Sequence, residues 1–300
     1  MIEPMLKLVI FLFNLIMSIS VTGLCSLFIF LAGVIKFLIP LRPVAIVTTR
    51  FANTMMFLWA SYLAFVFNVV NRTQWQINGG ENLSKENWYL LISNHQSWLD
   101  IVVLSVVFRH KIPMLKFFLK QELIWVPFIG VACWALDMPF MKRYSQRYLL
   151  KHPHLKGADI ESTRRACQKF KLIPTTVVNF VEGSRFTEAK RIKFNSPFRH
   201  LLKPKAAGIA FALTSLGDEF DKVLNITLVY PTTSGAPFIR LLCGDIKQVY
   251  VEIETIAIDE HLRGDYFADK SFKRQFQGWL NDLWARKDNL ITEIKSAYRQ

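Results

Sequence analysis

The chain has 300 residues, of which 52% are hydrophobic and 14% aromatic. That is enough for a sizeable core, excludes a disordered polymer, and exceeds the apolar content usual for a soluble domain. The 37 Lys and Arg outnumber 23 Asp and Glu, for a net charge of +14, a balance that suits a polyanionic partner, either nucleic acid or an anionic membrane.

Residues Leu8 to Pro40 form one long apolar stretch broken only by Asn14, a few Ser and Thr, and Lys36. It exceeds the roughly 20 residues needed to cross a bilayer. A cleaved signal peptide has a shorter core and a small-residue cut site, so an uncleaved anchor is expected. A second apolar stretch, Met55 to Val70, lies between Arg50 and Arg72. It is short for a full crossing and reads as a re-entrant or interfacial helix. Basic residues flank both stretches, so charge asymmetry does not orient them.

After Arg72 strand-length apolar runs alternate with helical patterns. Strands are expected at Trp88–Ser93, Asp137–Met141, Thr175–Val181, Leu224–Tyr230, Pro237–Cys243 and Gln248–Thr255. Helices are expected at Ser97–Phe108, Ile160–Phe170, Ala206–Leu216 and Phe272–Ala297, the last of them amphipathic. Such alternation predicts an α/β fold, a mixed and largely parallel sheet flanked by helices and preceded by a membrane-embedded helical segment. The expected division is residues 1–75 as the anchoring segment and 76–300 as the α/β domain. Cys25, Cys133, Cys167 and Cys243 are scattered, without C-x-x-C pairs or histidines at metal-ligand spacing. They read as free thiols in a reducing compartment, which puts the soluble part on the cytoplasmic side.

Two segments carry chemistry. Asn94-His95-Gln96-Ser97-Trp98-Leu99-Asp100 follows a strand and opens a helix, the position where open α/β sheets bind ligands. A neutral imidazole at His95 can accept a proton from an alcohol, and a carboxylate at Asp100 can fix its tautomer. The same residues also fit a plain reading, in which Ser97-x-x-Asp100 is a capping box and His95 an ordinary turn residue. Val181-Glu182-Gly183-Ser184-Arg185-Phe186-Thr187 again follows an apolar strand. Gly183 permits a tight turn and Arg185 offers a fork for phosphate, although a surface turn with a Glu182–Arg185 ion pair uses the same residues. Ser184 lacks the flanking glycines of a hydrolase nucleophile elbow. Two basic clusters remain. One runs from Lys116 through Lys120 and Glu122 to Lys142 and Arg143, and the other holds Lys203 and Lys205 ahead of Gly208. Each reads as an anion site or as a solvated basic face.

The order of these segments is more specific than any one alone. NHxSxxD comes first, then K-x-E-L-x-x-x-P-x-x-G with a strand ending in a basic pair, then V-E-G-S-R-F-T, then V-Y-P at Val229–Pro231. The order resembles the 1-acylglycerol-3-phosphate acyltransferase (PlsC-like) family. Phe140–Arg143 and the run F-L-K-Q-E-L-I-W-V-P-F-I-G are most similar to its bacterial YihG-type and lysocardiolipin-type branch. The resemblance covers roughly Trp88 to Pro231. It implies that His95 is the general base and Asp100 its partner. It further implies that Glu182, Gly183, Ser184 and Arg185 form the acceptor-phosphate motif, with Arg143 a further acceptor contact. Ser184 stands where many members have Thr, and the hydroxyl is kept. No metal and no cofactor is expected. The co-substrate is an acyl thioester, acyl-CoA or acyl carrier protein, and the acceptor is a lysophospholipid. The expected location is the bacterial inner (cytoplasmic) membrane, with the catalytic domain facing the cytoplasm. A non-catalytic module that binds anionic lipid is the competing reading. A nucleic-acid binder fits less well, because the basic residues form no recognised motif and the membrane stretch is unexplained.

Overall fold

A computed structural model of the chain describes residues 2–141, 172–231 and 235–298. The helix expected at Ile160–Phe170 and the acceptor contact Arg143 lie outside the described residues.

Two long helices come first, α1 (Ile2–Leu38) and α2 (Arg42–Phe65), and α2 runs on through a π turn at Val66–Asn71. Both Met5–Leu38 and Arg42–Asn71 are long and apolar enough to cross a membrane by length and composition. The second stretch is therefore longer than the expected Met55–Val70, because Pro43 sits in the first helical turn and starts α2 well upstream. Asn71 ends the run. Its fully buried amide donates to the carbonyls of Val66 and Leu241 and accepts from Ile246 N–H. Arg72 follows with φ of 51° and turns the chain into the sheet. Lys36, which interrupts the apolar run of α1, is used internally: its ammonium meets Asp137 at 2.5 Å and the Ala135 carbonyl at 2.9 Å.

The main sheet has the order β1-β8-β7-β2-β6-β3. Its strands are β1 (Gln74–Gly79), β2 (Tyr89–Ser93), β3 (Leu115–Phe117), β6 (Thr176–Phe180), β7 (Lys222–Val229) and β8 (Gln248–Ala257). All neighbours are parallel except β7 and β8. A small parallel pair, β4 (Leu119–Lys120) and β5 (Phe140–Met141), lies apart. The strand expected over Asp137–Met141 is thus confined to its last two residues, Asp137 having the left-handed φ of 58° that strands avoid.

Strand alternation sorts the core into two layers. Leu91, Val178, Leu224, Ile226 and Leu228 face α2 and α3 (Leu99–Phe108), whereas Leu90, Ile92, Val177 and Val223 face the other way. That second face is covered by α6 (Ala206–Leu216) and α8 (Lys270–Ala297). Each such fully buried aliphatic side chain contributes about 1.5–3 kcal/mol. The short helices are α4 (Ile129–Ala135), α5 (Glu188–Lys193) and α7 (Pro237–Leu242). The last overturns the strand expected at Pro237–Cys243. Pro237 has no N–H to give a ladder and suits the first helical turn, and only one side of the run, Leu241 and Leu242, is buried. The described chain therefore has the mixed, largely parallel sheet flanked by helices, with an apolar helical segment ahead of it.

Candidate active site

The carboxyl ends of β2, β6 and β7 converge at one edge of the sheet, and every element of the candidate site hangs from them. Asn94 closes β2. Its buried amide accepts from Leu228 N–H and donates to the Leu228 carbonyl, which Gln96 Nε2 also reaches at 2.7 Å. The turn that carries His95 is thereby fastened to β7.

That turn is wrapped around one carboxylate. Asp100, fully buried, accepts from the backbone N–H of Gln96 at 2.6 Å and of Ser97 at 2.9 Å through Oδ2. His95 Nδ1 meets the same oxygen at 2.8 Å. The other oxygen, Oδ1, accepts from the Tyr230 hydroxyl at 2.8 Å. Asp100 thus binds the His95 ring and the turn before the helix together, and the capping box is not formed, since both N–H groups it accepts precede Leu99 and Trp98 at the helix start supplies no side-chain cap. The helix starts at Leu99, two residues later than the Ser97 expected, because residues 95–98 form the Asp100-centred turn. Four donors to one buried carboxylate offset its desolvation and leave the imidazole with Nδ1–H toward Asp100. His95 Nε2 then carries the free lone pair and has no hydrogen-bond partner among the described residues. The ring is held flat against Phe180, centroids 4.1 Å apart and planes 17° from parallel. Burial beside Asp100 holds the Tyr230 hydroxyl protonated, its pKa well above the usual value.

The second turn docks on the first. Phe186 N–H donates to the His95 carbonyl at 2.7 Å. Gly183 supplies a φ of +69°, which a side chain would oppose. Arg185 is exposed, its guanidinium 5.6 Å from the ring centre of Trp98, itself exposed. Ser184 is half-buried beside it. Glu182, by contrast, turns inward. Oε1 accepts His95 N–H at 3.0 Å and Oε2 accepts Leu202 N–H at 2.7 Å, so the surface ion pair with Arg185 is not formed. Burial raises its carboxyl to about 7 against the pull of those two N–H groups and of Lys287. Lys287, on α8, is fully buried, donates to the Ile226 carbonyl and lies over the Trp284 ring; burial lowers it to about 7. The neighbouring Asp288 accepts the N–H groups of Arg199 and His200 at 2.8 and 2.7 Å. The carboxyl-terminal helix thus braces the segment that Glu182 ties to His95.

Of the basic clusters, Lys120 and Glu122 are exposed and Lys116 is buried on β3. Lys203 and Lys205 are exposed where the chain enters α6, and Lys205 N–H joins Val181 at 2.8 Å, beside Glu182. Sequence reasoning singled out neither Tyr230 nor Phe180 as site residues. The available signal was their place at the carboxyl ends of strands, next to the one that carries His95. Among the described residues no three His, Cys, Asp or Glu side chains are grouped as metal ligands.

Chemically, the arrangement is a hydrogen-bonded base with a buried counter-charge, beside an exposed guanidinium. Comparisons with known proteins bear on the domain that carries these residues. The family model for acyltransferases matches residues 74–216. A probable 1-acyl-sn-glycerol-3-phosphate acyltransferase 5 of Arabidopsis thaliana is 22% identical over 250 residues, 79% of this chain and 61% of that protein. A 2-acyl-1-lysophosphatidylinositol acyltransferase of Saccharomyces cerevisiae is 23% identical over 242 residues, 68% of this chain and 61% of that one. The chain thus spans about three-fifths of the length of these two relatives, 61% in each case. The crystal structure of PlsC from Thermotoga maritima, a 1-acyl-sn-glycerophosphate acyltransferase, superposes with a TM-score of 0.55 over 98% of both chains at 16% identity, a likeness of fold. These matches do not bear on the YihG-type branch. Residues 74–216 match the acyltransferase family model, and this stretch of the chain is an acyltransferase domain.

Proposed function

We propose that the protein is a membrane-bound enzyme that transfers an acyl chain from an acyl thioester, acyl-CoA or acyl carrier protein, to the free hydroxyl of a lysophospholipid such as 1-acylglycerol-3-phosphate. The observation that carries this reading is the His95 imidazole, fixed through Nδ1 by buried Asp100, with Nε2 unpaired and the Arg185 turn bonded to its own backbone. In the proposed step, the acceptor hydroxyl gives its proton to His95 Nε2 as its oxygen bonds to the thioester carbon. The tetrahedral intermediate then expels the thiolate, which takes the proton back from the imidazolium. No covalent acyl-enzyme is invoked, and the reaction as written calls on no metal. Arg185 meets the acceptor phosphate. Gly183 and Ser184 shape that turn, and Glu182 acts from beneath by holding the His95 and Leu202 segments together. Arg143 is a further acceptor contact by resemblance. The acceptor is tested by product analysis across lysophospholipids of different head group with both thioester carriers. Turnover of none of them sinks the reading.

Arg185→Ala is expected to raise the KM for a phosphate-bearing lysolipid, with the thioester KM little changed. Losing one charge-assisted contact costs about 1.5–3 kcal/mol, which is roughly a tenfold to hundredfold weaker use of acceptor. Lys at this position restores part of the loss, because an ammonium lacks the planar fork and stacks less well on Trp98. Steady-state kinetics with each substrate varied in turn decides the matter. A defect confined to the thioester reassigns Arg185 to the donor.

The membrane part of the proposal is supported by the two long apolar helices and by the exposed Leu12, Phe13, Ile16, Leu27 and Leu31 on α1. In this reading they anchor the domain at the cytoplasmic face of a bacterial inner membrane. Retention in the membrane fraction is expected to survive high salt, which screens charge but not apolar insertion. Release of the intact protein by salt alone contradicts the anchor.

A further inference from the structure

At the amino ends of the strands, away from His95, a cavity of about 390 Å³ opens between α2, the carboxyl end of α3 and the segments that lead into β3 and β6. Asp100 sits in the first turn of α3 and Arg109 just beyond its last, so the two sites are separated by one ten-residue helix, about 15 Å long at 1.5 Å per residue. The volume is in the range of small-ligand sites.

The lining is amphipathic in a particular way. Arg50, Lys85 and Arg109 all face this cavity, and among the described residues no Asp or Glu lines it. Among the described residues none of the three cations is in an ion pair. Gathering like charges without counter-ions costs free energy unless an anion offsets it. Arg109 gives one guanidinium N–H to the Val106 carbonyl and so caps α3, but its Nε is buried and has no acceptor. Asn53 Oδ1, on the α2 wall, is likewise buried without a donor. Burial, followed by the charges of Arg109 and Lys85, holds the adjacent His110 imidazole below its usual pKa. The other walls are apolar, with Met56, Phe57, Phe108, Ile112 and Leu115. Lys85 lies 5.6 Å from the Phe57 ring centre, so charge and apolar surface meet in one place. The outer face of α2 beside Arg50 continues as exposed Val47, Phe51 and Leu58.

We propose that this cavity is a second lipid site, which holds the headgroup phosphate of an anionic phospholipid between Arg50, Lys85 and Arg109 while the acyl chains lie along Phe57 and the outer face of α2. Three cations that line one cavity suit the oxygens of a phosphate. The apolar walls, and the apolar helix face that continues them, match a lipid rather than a free anion. The site is independent of acyl transfer and holds whatever acceptor the enzyme uses.

The test uses full-length protein in a neutral detergent, with dioleoyl phosphatidylglycerol as the probe. Native mass spectrometry counts the lipid retained, and titration gives its affinity. The wild type is expected to retain the anionic lipid saturably and dioleoyl phosphatidylcholine only weakly. Arg50→Gln with Lys85→Gln, both at exposed positions where folding is not at stake, is expected to weaken binding about tenfold or more, from the loss of two charge-assisted contacts. Arg109→Gln should add to that loss, and Arg185→Ala should leave the affinity unchanged. Unchanged affinity in the Arg50/Lys85 double variant overturns the proposal, as does equal retention of phosphatidylcholine. Loss of binding in Arg185→Ala moves the lipid to the acyl-transfer site and also overturns it. Displacement by inorganic phosphate as effectively as by the lipid makes the cavity a free-anion site and overturns the lipid assignment.

Discussion

Asp100→Asn is expected to lower turnover about 10²–10⁴-fold, the range typical of a positioned general base losing its function, while the protein stays folded. An asparagine can keep its carbonyl oxygen where Oδ2 stands, accepting from Gln96, Ser97 and His95, and turn its amide toward Tyr230. The Tyr230 hydroxyl then accepts instead of donating, and no backbone group is orphaned. The negative charge is gone, however, and with it the stabilisation of the imidazolium that forms when His95 takes a proton. Tyr230→Phe is the milder companion. It removes one of the four donors to Asp100, a hydrogen bond to a charged group worth about 1.5–3 kcal/mol and so at most roughly tenfold to hundredfold in rate. Turnover per folded molecule, with melting temperature measured alongside, separates the roles. If Asp100→Asn loses stability but keeps its turnover, the carboxylate serves the turn alone.

Glu182→Gln is expected to act on stability first. Both carboxylate oxygens accept backbone N–H groups, from His95 and Leu202, whereas a glutamine offers one acceptor and an NH2. One buried N–H then faces another donor, at a cost of about 1–3 kcal/mol. The substitution also removes the negative charge felt by buried Lys287, so Glu182→Gln with Lys287→Met is expected to be more stable than Glu182→Gln alone. The wild type carries a pH signature that the Gln variant lacks. A carboxyl raised from 4.5 to about 7 contributes stability that is full below 4.5 and lost as pH rises through 7. Lys287, lowered from 10.5 to about 7, gives the converse: stability full above 10.5 and lost as pH falls through 7. Thermal unfolding of both proteins between pH 4.5 and 7 reads the difference. Parallel curves show that Glu182 does not titrate in that window.

The central strands were legible because they are buried on both faces. Tyr89–Ser93, Thr176–Phe180 and Lys222–Val229 read as short continuous apolar runs, and each is found within one or two residues of its expected place. The edges were not. Gln74–Gly79 is polar and exposed, and its place as a strand comes from parallel pairing with Gln248–Ile253, a partner far along the chain. Leu115–Phe117 is too short to show a period. Pro237–Leu242 shows the limit of apolar runs, since six residues fit a strand or a buried helical turn equally until the position of the proline is weighed. At the site, spacing alone placed His95, Asp100 and the Gly183–Arg185 turn at strand ends. It could not reveal that Glu182 points inward or that Tyr230 completes the Asp100 shell, because both depend on contacts between β2, β6 and β7 that only the sheet order brings together.

The central claim is that His95 drives acyl transfer from a thioester to a lysophospholipid, and one comparison tests it most directly. Purified wild type and His95→Ala are each given an acyl thioester and 1-acylglycerol-3-phosphate in the same detergent, and the diacyl product and free thiol are measured together over time. The His95 side chain bonds Asp100 and stacks on Phe180, and Asp100 keeps its other three donors without it, so the variant is expected to fold. The predicted result is equal amounts of product and thiol from the wild type, with the rate about 10²–10⁴-fold lower in His95→Ala. Near-equal rates from the two proteins, or thiol released by the wild type without diacyl product, would contradict the claim.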